Sequence, residues 1–342
     1  MHMADALISP AVGGTMWAVS AAMIARCSSR IRTSGDDRTV PLMGVLGAFV
    51  FAAQMINFTI PLTGSSGHLG GGLLLAVLLG PAAAFLTIAS VLVVQALFFA
   101  DGGLLALGCN IFNLGFFPAF VAYPLLYRPL AGAVPSRIRL TGAAVVAAVA
   151  GLQLGAGAVV LQTTLSGISS LPFGPFLLLM QPIHLAIGVV EGLVTAAVLQ
   201  FVRTARPELL GNATEPARSA GSLKPLLIAF VVATLLTGGL VSHFASEQPD
   251  GLEWSIAGVS GSEQLQGPEQ GLHARLAALQ EKIAPLPDYA FKKGGAAALP
   301  EARLGTSLSG IAGGVATLLL AMGAGFLVSR RKVPLKEPDA LR

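Results

Sequence analysis

Residues 145–160 read VVAAVAGLQLGAGAVV, a run with no charged side chain and no alternation of polarity. A strand in a membrane barrel alternates apolar and polar positions over about 10 residues. A helix crossing lipid instead needs about 20 predominantly apolar residues in a row. The run LLLAVLL at 73–79 has the same unbroken character, and the whole chain of 342 residues is 54% hydrophobic and only 11% charged. Soluble domains carry about 25% charged residues, and the mean hydropathy here is +0.75. The 41 Gly and 21 Pro fit the same picture, because small residues let membrane helices approach closely and Pro ends or kinks them. The fold class read from composition is therefore all-α and polytopic.

Working outward from that run gives about nine spans, near 10–26, 41–61, 68–80, 82–100, 104–127, 141–163, 175–202, 225–244 and 305–329. Basic residues orient them, since cytoplasmic loops carry the Lys/Arg excess. Arg26, Arg30, Arg32 and Arg38 follow the first span, so the amino terminus is expected outside the cell membrane. Alternation then puts Arg128, Arg137 and Arg139, then Arg203, Arg206 and Arg218, and finally Arg330, Arg331 and Lys332 on the inner side, with the carboxyl terminus cytoplasmic. The formal charge of +4 is read as this topology signal rather than as a nucleic-acid surface. Two cysteines, Cys27 and Cys109, imply no disulfide framework.

Three segments emerge: a membrane block at 1–203 with about seven spans, a polar cytoplasmic linker at 204–224, and a two-span unit at 225–342 around an extracytoplasmic excursion at 243–303. A short amphipathic helix is expected at 269–283 within that excursion. The opening MHMADALISP lacks the basic start of a secretory signal, so the first residues are expected to persist on the outer side.

That places a chemical group of interest there. A histidine in second position chelates a divalent metal through the Met1 amine, its own deprotonated amide and its imidazole, forming two rings that share the central nitrogen. Three coplanar nitrogens leave a fourth equatorial place, and tetragonal nitrogen coordination suits Ni(II) and Cu(II). The candidate for that place is His68, in QMINFTIPLTGSSGHLGGG at 54–72, where Gly64 and Gly67 allow close backbone approach. The bland alternative for either histidine is a solvated ring at a terminus or in a loop.

MHMADALISP, QMINFTIPLTGSSGHLGGG, LFFADGGLLALGCNIFNLG at 97–115 and HLAIGVVEGL at 184–193 together resemble the substrate-binding components of nickel and cobalt energy-coupling factor transporters, the CbiM/NikM family. EQPDGLEW at 247–254 and PDY at 287–289 resemble the accessory NikN/CbiN-like component, here fused at the carboxyl end. The resemblance implies Ni2+, or alternatively Co2+ for corrinoid synthesis, as transported substrate. Its implied ligands are the Met1 amine, the His2 amide nitrogen and imidazole, and the His68 imidazole. It also implies a transmembrane coupling subunit and cytoplasmic ATPases as partners. SGHLGGG lies nearer the nickel branch; Ser65 and Cys109 depart from the family's usual Thr and Ala.

Gln54, Asn57, Ser66 and Asn110 are candidates to support the ligands by hydrogen bonds; with Asn113 they serve equally to join helices. His184 and Glu191 share one helix face two turns apart. They are read as bonding neighbouring helices, with an intramembrane acid/base enzyme as the rival of another class. Asp101 is expected to cap a helix, and His243 and His273 to be solvated. There is no G-x-x-x-x-G-K-[ST] phosphate loop, so ATP hydrolysis is assigned to partner chains and the chain is not expected to be an enzyme.

Overall fold

A computed structural model of the chain describes residues 1–34, 38–210, 222–292 and 299–329. The apolar runs form helices because in lipid each backbone N–H and C=O must find its partner within the segment. Six helices are long and apolar enough to cross a membrane: Pro81–Phe99, Leu107–Ala131, Arg137–Ser166, Phe173–Ala205, Lys224–Phe244 and Leu304–Ser329, the last within the longer helix Leu299–Ser329. Pro10–Ser34, with 25 residues, and the shorter apolar Thr39–Gln54 run beside them. Leu107–Ala131 is wound wider than an α-helix over Phe112–Tyr127, where Pro118 and Pro124 each lack the amide an α-helical bond would use.

Two of the expected spans are corrected. The stretch read as 41–61 stops being helical at Gln54, and the chain then makes an antiparallel hairpin, β1 (Phe58–Ile60) with β2 (Ser65–Gly67), in the register Phe58↔Gly67 and Ile60↔Ser65. The stretch read as 68–80 holds a helix of only 8 residues, Gly72–Leu79. At 1.5 Å per residue that is roughly 12 Å, less than half of a bilayer core of about 30 Å. The glycines at 70–72 delay its start, and Gly80 (φ 78) followed by Pro81 ends it, so the chain turns there into the helix Pro81–Phe99.

Phe51, Phe85, Phe99 and Phe176 are fully buried between helices, whereas Leu154, Leu161, Leu178, Leu193 and Phe201 stay exposed on the faces that lipid would cover. The two late spans do not stand apart. Gly313 lies against the Phe51 ring, Gly44 against Met322, and Gly238 and Gly310 bring their two backbones together, the close approach that small residues permit in membranes. At one end of the bundle the basic side chains bind main-chain carbonyls, Arg203 to Pro135 at 2.7 Å and Arg139 to Leu130 at 2.6 Å. The hairpin and the amino terminus lie at the other end.

Beyond Ala205 a single turn, Pro207–Leu210, is seen; 211–221, with Arg218, and 330–342, with Arg330, Arg331 and Lys332, lie outside the described residues, as does 293–298 of the excursion. The excursion forms two helices, Gly251–Ser260 and Leu272–Ile283, the second being the amphipathic helix expected from 269. His273 is not solvated as expected. It is 7% exposed and bonds the Ile8 carbonyl at 2.8 Å, tying this helix to the amino-terminal segment. His243 is half-buried and bonds the Ser307 hydroxyl.

Candidate metal centre

The amino-terminal residues enter the bundle rather than trailing from it. Met3 is completely buried, and Asn110 grips its backbone from both sides: the Met3 amide donates to Asn110 Oδ1 at 2.9 Å and Asn110 Nδ2 donates to the Met3 carbonyl at 3.2 Å. Gly103 donates to the same carbonyl at 2.9 Å. A Cβ at Gly103 would stand 1.9 Å from Asp5 Oδ1, so only glycine admits this tail. Asp5 Oδ1 also accepts from the Ala106 amide at 2.9 Å. Held in this way, Met1 and His2 are carried to the end of the β-hairpin.

The loop carrying His68 is fixed with equal care. Glu191, 3% exposed, accepts the amides of Gly70 at 2.8 Å and Gly71 at 3.1 Å. Gly71 has φ 74 with Val50 pressed against its Cα, a backbone that a side chain would strain. Gln54 donates to the Gly70 carbonyl at 2.8 Å and accepts from Gln95 at the same distance. His68 Nδ1 faces its neighbour's carbonyl, Leu69, at 3.2 Å. That contact puts the ring hydrogen on Nδ1 and leaves the Nε2 lone pair free, the tautomer a metal-binding imidazole uses.

Nε2 of His68 lies 3.4 Å from the Met1 amine, and the His2 ring stacks on the His68 ring with centroids 5.0 Å apart and planes 8° from parallel. His2 Nδ1, the ring nitrogen able to close a small chelate with its own amide, is 3.3 Å from Asp101 Oδ1, and His2 Nε2 is buried without a partner. Burial lowers the His2 pKa to about 4 despite the attraction of Asp101, so the ring is neutral near pH 7. Among the described residues, no group of three or more His, Cys, Asp or Glu side chains stands at ligand spacing. The donors gathered here are a main-chain amine, a main-chain amide and two imidazoles.

The residues read as supports divide. Gln54 orders the His68 loop and Asn110 the Met1–Met3 backbone, as just described. Ser66 bonds the Gln248 carbonyl at 2.8 Å through its hydroxyl and the Pro249 carbonyl at 2.8 Å through its amide. Asn57 contributes its carbonyl to the Ser246 amide at 2.7 Å, and Asn113 pairs with Gln162 across two helices. Asp101 does not cap a helix; besides facing His2 it accepts the Tyr289 hydroxyl at 2.6 Å. His184 and Glu191 share an inward face but do different things. His184 Nδ1 donates to the Met180 carbonyl at 2.7 Å, as its Nε2 stays buried and unpartnered.

Sequence reasoning missed Asp250. Its Oδ2 lies 3.1 Å from the Met1 ammonium and 3.6 Å from His68 Nε2. Its Oδ1 accepts the amides of Leu252 and Glu253 at 2.8 and 2.9 Å, and Glu253 returns the bond to the Asp250 amide at 3.1 Å. This capping box starts the helix Gly251–Ser260. Burial alone would raise the Asp250 carboxyl, but the Met1 ammonium holds it well below the usual carboxylate range. The spacing of Asp and Glu in EQPDGLE signals the cap; nothing in it signals the ammonium.

Above the rings opens a cavity of about 550 Å³ whose lining includes His2, His68, Asp101, Asp250, Glu253 and Asp288. Below them a space of about 10 Å³, lined by Met1, His68, His184 and Asp250 among others, has room for about one water or ion. An acidic vestibule over a buried cluster of nitrogen donors can concentrate a cation and then strip its water.

Residues 2–209 match the family model described as the cobalt uptake substrate-specific transmembrane region, CbiM, and 224–330 match the PDGLE domain. The chain belongs to the CbiM family. It is a multi-pass membrane protein of transition-metal uptake, with a PDGLE domain fused behind the substrate-specific region. It is 29% identical over 346 residues to the fused nickel transport protein NikMN of Rhodobacter capsulatus, which covers 94% of this chain and 96% of that one. Over 287 residues it is also 29% identical to the cobalt transport protein CbiM of Geobacter sulfurreducens, covering 80% and 81%. Among solved structures, that of a transition metal transporter aligns with a TM-score of 0.55 and 27% identity, over 65% of this chain and 100% of the other. Membership in a transport family answers the enzyme alternative for His184 and Glu191: the chain is a transporter component.

Proposed function

We propose that this CbiM-family chain is the substrate-capturing component of an ATP-driven nickel importer. Ni2+ is held by the Met1 amine, the His2 amide nitrogen and imidazole, and His68 Nε2, a near-planar set of four nitrogens. The observation that carries this reading is the approach of His68 Nε2 to 3.4 Å of the Met1 amine with the His2 ring stacked beside it. Tetragonal nitrogen coordination suits Ni(II), as it does Cu(II), and a relative that covers 94% of the fused chain is named for nickel. To bind, His2 Nδ1 turns from Asp101 and the amine leaves its ion pair. Gln54, Asn110 and Glu191 hold the backbones around which those small movements occur.

The site lies at the end opposite the basic cluster, so the positive-inside rule directs it outward. Residues 1–203 act as the binding body, 204–224 as a cytoplasmic link, and 225–342 as the accessory unit. A transmembrane coupling subunit and cytoplasmic ATPases supply the energy. Cobalt is the second reading, resting on the equally identical cobalt relative.

Inserting two Ala residues between Met1 and His2 keeps each side chain but breaks the shared-nitrogen chelate, whereas a single Ala would leave the histidine third and offer an amine, two amides and an imidazole as a new square of four nitrogens. Titration calorimetry of the full chain is expected to show stoichiometric Ni2+ binding, tighter than Co2+, that falls by at least a hundredfold in the insertion variant. Unchanged binding there would remove the chelate, and tighter Co2+ binding would transfer the reading to cobalt.

A further inference from the structure

Asp250 belongs to the PDGLE unit, yet it lies 3.1 Å from the Met1 ammonium and 3.6 Å from His68 Nε2, 249 residues away from the terminus it meets. It is held there rigidly. One oxygen is committed to the cap of Gly251–Ser260, and the residue before it is bonded through its carbonyl to the Ser66 amide at 2.8 Å, within the His68 hairpin. Gly251 lets the helix start sit against its neighbour, since a Cβ there would come within 2.9 Å of Ile183 and 3.2 Å of His184. The other oxygen is left to face the amine and His68.

We propose that Asp250 is the fixed counter-ion and positioning residue of the metal site, a contribution of the accessory unit to the capture step itself. The inference rests on the chelate reading above and extends it. In the empty site Asp250 balances the single positive charge of the Met1 ammonium. When a divalent ion binds, the amine and the His2 amide each release one proton to solvent, and the ion with its one deprotonated amide again carries a single positive charge. The carboxylate is balanced in both states. A buried charge without a partner is costly, so a carboxylate matched before and after exchange lets the ion enter without leaving either state uncompensated. Meanwhile it keeps the Met1 amine directed at His68 rather than out into the vestibule.

The test uses the full chain and Ni2+ alone. Asp250→Asn retains a capping oxygen and the shape of the side chain but removes the charge; Asp250→Ser is a second variant that also caps. Both are expected to weaken Ni2+ binding at least tenfold while leaving the d–d absorption band of the bound ion where it is in the wild type, because the four nitrogens are unchanged. The insertion of two Ala residues between Met1 and His2, run beside them, is expected to abolish both binding and band. If the Asp250 variants bind within twofold of wild type while the insertion abolishes binding, the counter-ion role is wrong and the chelate stands. A shifted band in the Asp250 variants would make the carboxylate a ligand and overturn the positioning role. Insertion variants that bind normally would overturn both.

Discussion

His2 is a buried imidazole whose protonation is set by its surroundings. Burial disfavours the imidazolium and lowers its pKa from 6.5 to about 4. An amino terminus released from the bundle would take up that proton near 6.5, so between those values the released state binds more protons. Docking of the first residues is therefore fully supported above about 6.5 and loses that support as pH falls toward 4. An NMR titration of ring-labelled His2 in the metal-free chain is expected to show a midpoint near 4; a midpoint at 6.5 would place the ring in water. Glu191 makes a second residue-scale test. Glu191→Gln keeps one acceptor and turns an NH2 toward the other glycine amide, leaving a buried donor unsatisfied at a cost of about 1–3 kcal/mol. A lower melting temperature and weaker Ni2+ binding are expected together, since the same bonds order the His68 loop. His2 and His68 were legible because their chemistry is local: a second-position histidine, and a histidine among glycines. Asp250 and Asp101 were not. Their partners are 249 and 188 residues distant, and no period or spacing in the chain encodes such a meeting.

At the scale of elements, long unbroken runs were read correctly as helices because lipid leaves the backbone no other partner. Glycine-rich stretches were misread. In 54–80 hydrophobicity continues while the backbone turns, so an apolar window passes over a hairpin and a half-length helix without registering either. The packing of Gly251–Ser260 against Phe173–Ala205 was equally hidden, because it depends on what Gly251 lacks. Gly251→Val drives two methyl groups into Ile183 and His184, and overpacking of this kind costs about 1–3 kcal/mol. The expected outcome is a lowered melting temperature and, because Asp250 shifts with the helix start, weakened Ni2+ binding. Gly174→Ala is the matched control, as nothing lies within 4 Å of its added carbon. A Gly251 variant that melts and binds like this control would mean that the helix does not rest where the glycine places it.

At the scale of the molecule, the two matched regions act as one body around the site: the substrate-specific region brings the nitrogens and the PDGLE domain brings the carboxylate. That arrangement has meaning for uptake only if the site end faces away from the cytoplasm, the orientation proposed above from the positive-inside rule. Thiol labelling in intact cells tests it with little background, since Cys27 and Cys109 are 1% and 0% exposed. Leu62, at the hairpin tip, is fully exposed at 107%, and Thr204 is exposed at the basic end. Leu62→Cys is expected to react with a membrane-impermeant maleimide added outside, and Thr204→Cys only after the cells are opened. The reverse pattern would put the nitrogen cluster in the cytosol, where it would meet a metal the cell already holds, and importing Ni2+ through this site would have to be given up. With the expected pattern, Leu62 labelling also reports on loading: Trp254 donates to the Thr63 carbonyl at 2.9 Å and so ties the hairpin tip to the PDGLE helix. If Ni2+ binding releases Asp250 from the amine without loosening that tie, the labelling rate at Leu62→Cys stays constant across a Ni2+ titration; a rise would mean that capture opens the hairpin.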